Sequence, residues 1–333
     1  MNDEDIEQVL KSAGAREKPP VEVERSVRRR LRAEWLAMVA EKRRGRRRQT
    51  ALALAAGILA AAIGLWVAAP RLGGPAVTAA TMTLASGEVR VNSGWLRGWR
   101  DIVPGQPLAV GQTLETGRSG RGALALAGGV SARLDHDTLL NITGADQLTL
   151  ERGALYVDAG PAASPVSRLA VITPSGSVRH IGTQYEVRLM GTDVRLRVRE
   201  GRVEWRARTG DIERSQTGEQ LTIANDGTVE RRAMPRYGET WDWIAATAPV
   251  IDIEGLALAR FLSWVGRELG REIAYASPQT ASDVAGIVVH GSISGLTPTQ
   301  ALDAVLATTR VRAVIADGHI VVGSEESPPT RGD

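Results

Sequence analysis

Hydrophobic positions change their spacing repeatedly along the chain, and each spacing predicts a different element. Near Asp3–Ala13, Ile6, Val9 and Leu10 fall on one side of a predicted helix, with acidic residues in the first turn where the helix dipole favours them. Beyond Pro19-Pro20 a second helix is predicted from Val21 to Arg44, because Val23, Val27, Leu31, Trp35 and Met38 recur every three to four residues as one stripe. From Thr50 to Ala69 no position is charged, and a run of about 20 apolar residues matches a hydrocarbon core of about 30 Å, which predicts one membrane helix. From Thr81 to Val229 the period drops to two. Alternation is visible at Glu88–Val91, Ala123–Leu126, Ala132–Leu134, Leu148–Leu150, Leu155–Val157, Glu186–Leu189 and Val194–Val198. Gly128-Gly129, Asn141 and Asn225-Asp226-Gly227 punctuate these runs, so this region is expected to be a sandwich, barrel or β-helix-like roll rather than βαβ units.

After residue 248 strand and helix periods alternate. Ile251–Ile253 predicts a short strand, and Leu258, Leu262, Val265 and Leu269 predict a helix closed by Gly270. Glu272–Tyr275 and Ile287–Val289 read as strands. Thr297-Pro298-Thr299-Gln300 supplies an N-cap, a proline at the first helical position and a glutamine at the third, ahead of the buried face Ala301, Leu302, Val305 and Leu306. Val311–Ala316 and Ile320–Val322 then flank the turn Asp317-Gly318. The predicted fold class is a single-pass membrane protein. A helical cytoplasmic head (1–49), one membrane helix (50–69) and a linker (70–80) precede an all-β exported domain (81–230). A connector with Trp241 and Trp243 (231–248), a small βαββαββ α+β domain (249–324) and a polar tail expected to be disordered (325–333) complete the chain.

Charge orients this picture. Lys42, Arg43, Arg44, Arg46, Arg47 and Arg48 stand just before Thr50 and only Arg71 closely follows Ala69; the positive-inside rule places Met1–Gln49 in the cytoplasm and the chain after Pro70 in the periplasm, across the inner membrane. The charged N-terminal stretch is far too long for a cleaved signal peptide. Arginine runs also bind nucleic acid, but beside a hydrophobic segment the block is read as a topology signal, with no direct nucleic-acid partner. Ala53, Gly57, Ala60 and Gly64 would let two such helices pack closely. The Val23–Met38 stripe either touches lipid or lays Val27, Leu31, Trp35 and Met38 into a groove of a cytoplasmic protein.

The composition, 43% apolar and 24% charged, is that of a folded protein, and the lack of cysteine excludes disulfides and thiolate metal sites. Gly120-Arg121-Gly122 with Ala125 mimics a dinucleotide fingerprint, but Ala123–Leu126 alternates like a strand and no helix follows. Asp135-His136-Asp137 looks like a metal triplet, yet neighbours on a strand point to opposite faces, so a solvated turn is expected. The histidines, His136, His180, His290 and His319, are scattered, and no triad or paired-acid spacing occurs. No turnover activity, cofactor or metal is expected.

Three stretches resemble successive signatures of one family: Ala154-Leu155-Tyr156-Val157, then His180-Ile181-Gly182-Thr183-Gln184-Tyr185-Glu186-Val187, then Val198-Arg199-Glu200-Gly201-Arg202-Val203. The chain from Thr81 to Val229 is similar to the FecR family of membrane-spanning regulators of extracytoplasmic-function sigma factors, with Tyr185 where the family usually has Phe. The α+β order resembles the STN docking module of secretins and TonB receptors. The resemblance implies an anti-sigma factor of the cell-surface signalling type found in iron uptake. Its head would bind a sigma factor through Val27, Leu31, Trp35 and Met38, and its exported domains would meet the signalling domain of a TonB-dependent receptor. It also implies a candidate self-cleavage at Gly182-Thr183. There the Thr183 hydroxyl would attack the preceding carbonyl, with His180 as a base. A regular strand would face His180 and Thr183 oppositely, so a bend is required; a tight structural bend alone would explain the Gly-Thr pair equally. The rival reading of the whole chain is a non-enzymatic envelope scaffold.

Overall fold

A computed structural model describes residues 78–94, 98–160, 169–316 and 318–324, together with Glu7, Gln8 and Lys11. The chain divides into two units, Met1–Pro75 and Ala76–Asp333. In the first, Glu7, Gln8 and Lys11 are helical, and Lys11 meets Glu7 at 3.2 Å one turn away.

The second unit begins with β1 (Thr78–Ser86), β2 (Val89–Asn92), β3 (Trp99–Asp101), β4 (Pro107–Ala109), β5 (Thr113–Thr116) and β6 (Arg121–Leu126). There follow β7 (Val130–Leu134), β8 (Leu139–Gly144), β9 (Gln147–Arg152), β10 (Ala154–Ala159) and β11 (Ala170–Thr173). Two long strands, β12 (Gly176–Met190) and β13 (Asp193–Ala207), form a hairpin, and β14 (Ile212–Gln216), β15 (Glu219–Ile223) and β16 (Val229–Ala233) close the set. All sixteen join one sheet, whose main path runs β3-β2-β5-β8-β9-β11-β12-β10-β7-β6-β1-β4, with β13 to β16 branching from β12. Pairing is antiparallel except between β9 and β11. Strands from both ends of this path supply one core, from Val91 and Leu114 to Leu124, Val157, Val187 and Trp205, so the sheet curls on itself around those side chains.

β10 is buried along its whole length. Leu155, Val157 and Ala159 enter the sheet core, while Ala154 and Tyr156 face a second cluster with Trp241, Trp243 and Ile244 from the connector. Strand side chains alternate faces, so a strand buried on both sides needs a second layer over its outer face. That layer is the connector with α1 (Asp242–Ala245) and the α+β region behind it.

The α+β region runs β17 (Leu256–Ala257), α2 (Leu258–Leu269), β18 (Glu272–Tyr275), α3 (Pro278–Gly286), β19 (Val288–Val289), α4 (Pro298–Leu306), β20 (Val311–Ala316) and β21 (His319–Ser324). β18, β21 and β20 form a three-stranded sheet and β17 pairs with β19. Leu258, Phe261, Leu262 and Val265 of α2 pack with Ala301, Leu302 and Val305 of α4 and with Ile320 and Val322 of β21. Gly270 ends α2 in the left-handed conformation (φ 67°), and Thr297 and Gln300 form the reciprocal capping box of α4.

The expected fold class, a single-pass membrane protein with a helical cytoplasmic head, is corrected to a predominantly β body followed by a small α+β region. The longest of the labelled helices, α2, has 12 residues and is amphipathic, whereas a span needs about 20 apolar residues; among the described residues no helix is long and apolar enough to cross a membrane. The expected head, apart from Glu7, Gln8 and Lys11, and the stretch 50–69 lie outside the described residues. Smaller differences follow local chemistry. Ile251–Ile253 is not a strand, α3 adds a helix between β18 and β19, and Asn141 lies inside β8, where Thr113 Oγ1 donates to its Oδ1 at 2.6 Å.

Candidate functional site

The Gly182-Thr183 pair sits where the β12–β13 hairpin loses its regular register. Ile181 pairs with Arg202 and Gln184 with Glu200, so Gly182 and Thr183 together face Gly201 alone. Two residues opposite one is a β-bulge, a departure from a regular strand of the kind the expected Gly-Thr cleavage would need. Gly182 is exposed with φ 60°, and Gly201 has φ 83°. Glycine is needed twice for different reasons. A Cβ at Gly182 would meet open space and only backbone strain opposes it, whereas a Cβ at Gly201 would stand 2.5 Å from both Gly182 O and Thr183 Cγ2. Thr183 is 1% exposed and its Oγ1 has no hydrogen-bond partner. The His180 backbone pairs with Val203, but its side chain lies outside the described part of the structure.

Charged side chains surround the residues next to this bulge. Gln184 Nε2 donates to Asp158 Oδ2 at 3.0 Å across the β10–β12 ladder. Arg267, on the last turn of α2, donates through Nε to Asp158 Oδ2 at 3.2 Å, through Nη2 to Asp158 Oδ1, and through Nη1 to Glu200 Oε2 at 3.2 Å. The next residue, Glu268, accepts from both terminal nitrogens of Arg133: Nη1 to Oε2 at 2.7 Å and Nη2 to Oε1 at 2.9 Å. Arg133 Nη1 also donates to the Ile244 carbonyl at 2.8 Å, and its guanidinium lies 5.2 Å from the Tyr156 ring centroid. Both members are essentially inaccessible, at 0% for Arg133 and 3% for Glu268. Burial works against the Arg133 charge, but the attraction of Glu268 and its hydrogen bonds outweigh it and raise the pKa further. The arrangement ties α2 and the connector to the outer face of β7 and β10, beside the bulge.

A second cluster lies on Asp135 and Glu186. Arg188 Nη2 reaches Asp135 Oδ2 at 2.6 Å and Arg121 Nε reaches Oδ1 at 3.0 Å. Burial pushes the Asp135 carboxyl up, yet these two guanidinium bonds and the His136 backbone outweigh it and hold the carboxyl below its ordinary value. Asp135 is thus buried and paired, unlike a solvated turn residue, while His136 and Asp137 beside it are exposed and Asp137 takes φ 51°. Among the described residues no group of three His, Asp or Glu is placed to hold a metal ion.

The structure therefore brings Gly182 and Thr183 together with Gly201, which sequence reasoning had used only as a signature. Val27, Leu31, Trp35 and Met38 lie outside the described residues. Sequence reasoning missed Arg133, Asp158, Arg267 and Glu268. A usable signal existed: Asp158 is the one charged residue in the otherwise mostly apolar six-residue β10, and Arg133 interrupts Ala132–Leu134. A charge inside a run buried on both faces must find a partner.

Residues 112–204 match the model of the FecR family, described as FecR protein. No curated protein matches the chain. A crystal structure of a candidate anti-sigma factor from Parabacteroides distasonis ATCC 8503 is 17% identical, covering 64% of this chain and 98% of that one, with a TM-score of 0.34. A second crystal structure under the same description is 16% identical, covering 63% and 97%, also with a TM-score of 0.34. At such scores the likeness fixes neither fold nor partner. The family match spans β5 to most of β13 and includes the bulge, Arg133 and Asp158.

Proposed function

We propose that this chain, with its FecR domain, is an anti-sigma regulator that passes a signal received by residues 76–333 to an extracytoplasmic-function sigma factor. The observation that carries the reading is the family match of residues 112–204. The sigma factor is held by residues 1–49 through Val27, Leu31, Trp35 and Met38. In its finer form the signal comes from the signalling domain of a TonB-dependent receptor of the iron-uptake type. The test uses the full-length protein, recovered from its native cell by affinity capture and read by mass spectrometry. One sigma factor is expected with the wild type and lost with Leu31→Asp and Trp35→Asp. Capture of no sigma factor, or equal capture by the variants, would overturn the proposal.

A single-turnover nick at Gly182-Thr183 belongs to the same proposal. The Thr183 hydroxyl attacks the Gly182 carbonyl carbon and the Thr183 nitrogen leaves as an amine. The resulting ester is then opened by water to give a Gly182 carboxylate and a free Thr183 hydroxyl. The left-handed Gly182 and the unpartnered Thr183 Oγ1 support this chemistry. Purified wild-type protein should run as two fragments on a denaturing gel and Thr183→Ala as one. A wild type that always runs intact ends the idea.

A further inference from the structure

A cavity of about 150 Å³ lies where β13, the connector and the end of α2 meet, lined by Arg199, Trp241, Asp242, Glu268, Arg271 and Thr299, among others. Arg199 is 1% exposed. Its Nε donates to the Arg236 carbonyl at 2.8 Å, and its guanidinium lies 5.1 Å from the Trp241 ring centroid. Its Nη1 has no partner. Among the described residues no carboxylate stands within the 4.0 Å ion-pair distance of it. Gly270 lets the chain pass against this guanidinium, since a Cβ there would stand 2.7 Å from Nη2.

The contrast with Arg133 decides the reading. Both guanidinium groups are fully buried and each faces an aromatic ring, but Arg133 has a bidentate carboxylate and Arg199 has none. Burying an ion carries a large desolvation cost, and a ring face and one carbonyl offset it less fully than the bidentate carboxylate that Arg133 has. The acids at the cavity wall do not make up the difference. Glu268 gives both oxygens to Arg133, and Asp242 is exposed. Arg271 adds a second guanidinium at the wall, stacked 4.3 Å from the Tyr237 ring centroid.

We infer that the cavity is an anion site, in which a small oxyanion, a carboxylate or a phosphate, completes the hydrogen bonding of Arg199. At about 30 Å³ per water the cavity holds a few waters or one such anion and is too small for a nucleotide. Its walls come from β13, the connector, α2 and α4, so an occupant would bridge the β body and the α+β region. The inference goes beyond the sigma-factor reading and stands or falls separately.

Full-length protein is titrated with sodium phosphate in one arm and sodium acetate in another, each at constant ionic strength set with chloride, and the unfolding temperature is followed. Binding to the folded state alone raises that temperature saturably. A rise in the phosphate arm, the acetate arm or both, with apparent affinity at least tenfold weaker in Arg199→Met, supports the site and identifies the headgroup chemistry it prefers. Ala245→Leu, which fills the cavity and leaves the guanidinium in place, should abolish the response, and it decides the matter alone if Arg199→Met does not fold. No saturable response in either arm, or an undiminished response in the variants, would overturn the inference.

Discussion

Removing Glu268 tests whether the buried ion pair holds the α+β region on the β body. In Glu268→Ala, Arg133 keeps the Ile244 carbonyl, the Tyr156 face and Asp158 at 4.0 Å but loses both charged hydrogen bonds, at 2.7 and 2.9 Å. Breaking one partner of a buried pair costs about 3–5 kcal/mol, because the survivor stays buried and charged without its hydrogen-bonded counter-ion. Whole-domain stability is about 5–15 kcal/mol, so the loss should be conspicuous. Trp241 and Trp243 sit at this junction and are two of the eight tryptophans, so loosening of the junction appears as an early part of the fluorescence change in urea unfolding. Circular dichroism reports mainly on the sheet. The wild-type transitions should coincide, and in Glu268→Ala the fluorescence transition should move to lower urea ahead of the dichroism. The pair is a device of geometry rather than a source of net stability, so Arg133→Met combined with Glu268→Met should recover to within about 1 kcal/mol of wild type. A single-variant loss below about 1 kcal/mol, or a double variant no better than the single, would refute the reasoning.

Other substitutions probe the bulge, the second cluster and the helix caps. Gly201→Ala should cost at least about 2 kcal/mol, since strain at φ 83° adds to two contacts at 2.5 Å, whereas Gly182→Ala at φ 60° in open space should cost about 1–2 kcal/mol; denaturant midpoints give the order. The folded pKa of Asp135 lies below its ordinary 3.8, so its contribution is present above that pH and is lost as pH falls through the lower folded value. Acid unfolding of wild type should therefore be steeper below about pH 4 than that of Asp135→Asn, and equal slopes would contradict the pairing. Thr297→Ala removes the capping box of α4 and should cost about 1 kcal/mol in thermal unfolding.

The period-two alternation at Val194–Val198 falls within β13, whose burial alternates with it, because half-buried strands write their two faces directly into the sequence. The runs at Ala123–Leu126 and Leu155–Val157 also fall within strands, β6 and β10, although β10 is buried on both faces. The sheet order was not legible. The parallel β9–β11 contact and the branch of β13 to three neighbours depend on pairings remote in sequence, which alternation does not encode. α3 was overlooked although Ser277-Pro278 repeats the cap-and-proline signal of Thr297-Pro298; of its residues only Thr280 and Val284 are buried, too few to make a stripe. At the site, Gly182-Thr183 stood out through the family signature, while Gly201 acquired its role only once the register showed it facing the pair alone. The ions Arg133, Asp158, Arg267 and Glu268 are separated by up to 135 positions, and nothing local joins them. Glu268 reads as an ordinary polar position beside the apolar stripe of α2 until the sheet is packed against it.

Control of one sigma factor is tested by transcript profiling of the native cell with and without the gene. The expected result is a coherent change confined to promoters sharing one alternative recognition sequence, reproduced by the Trp35→Asp allele. Transcripts that do not change, or that change without a shared promoter class, would contradict it.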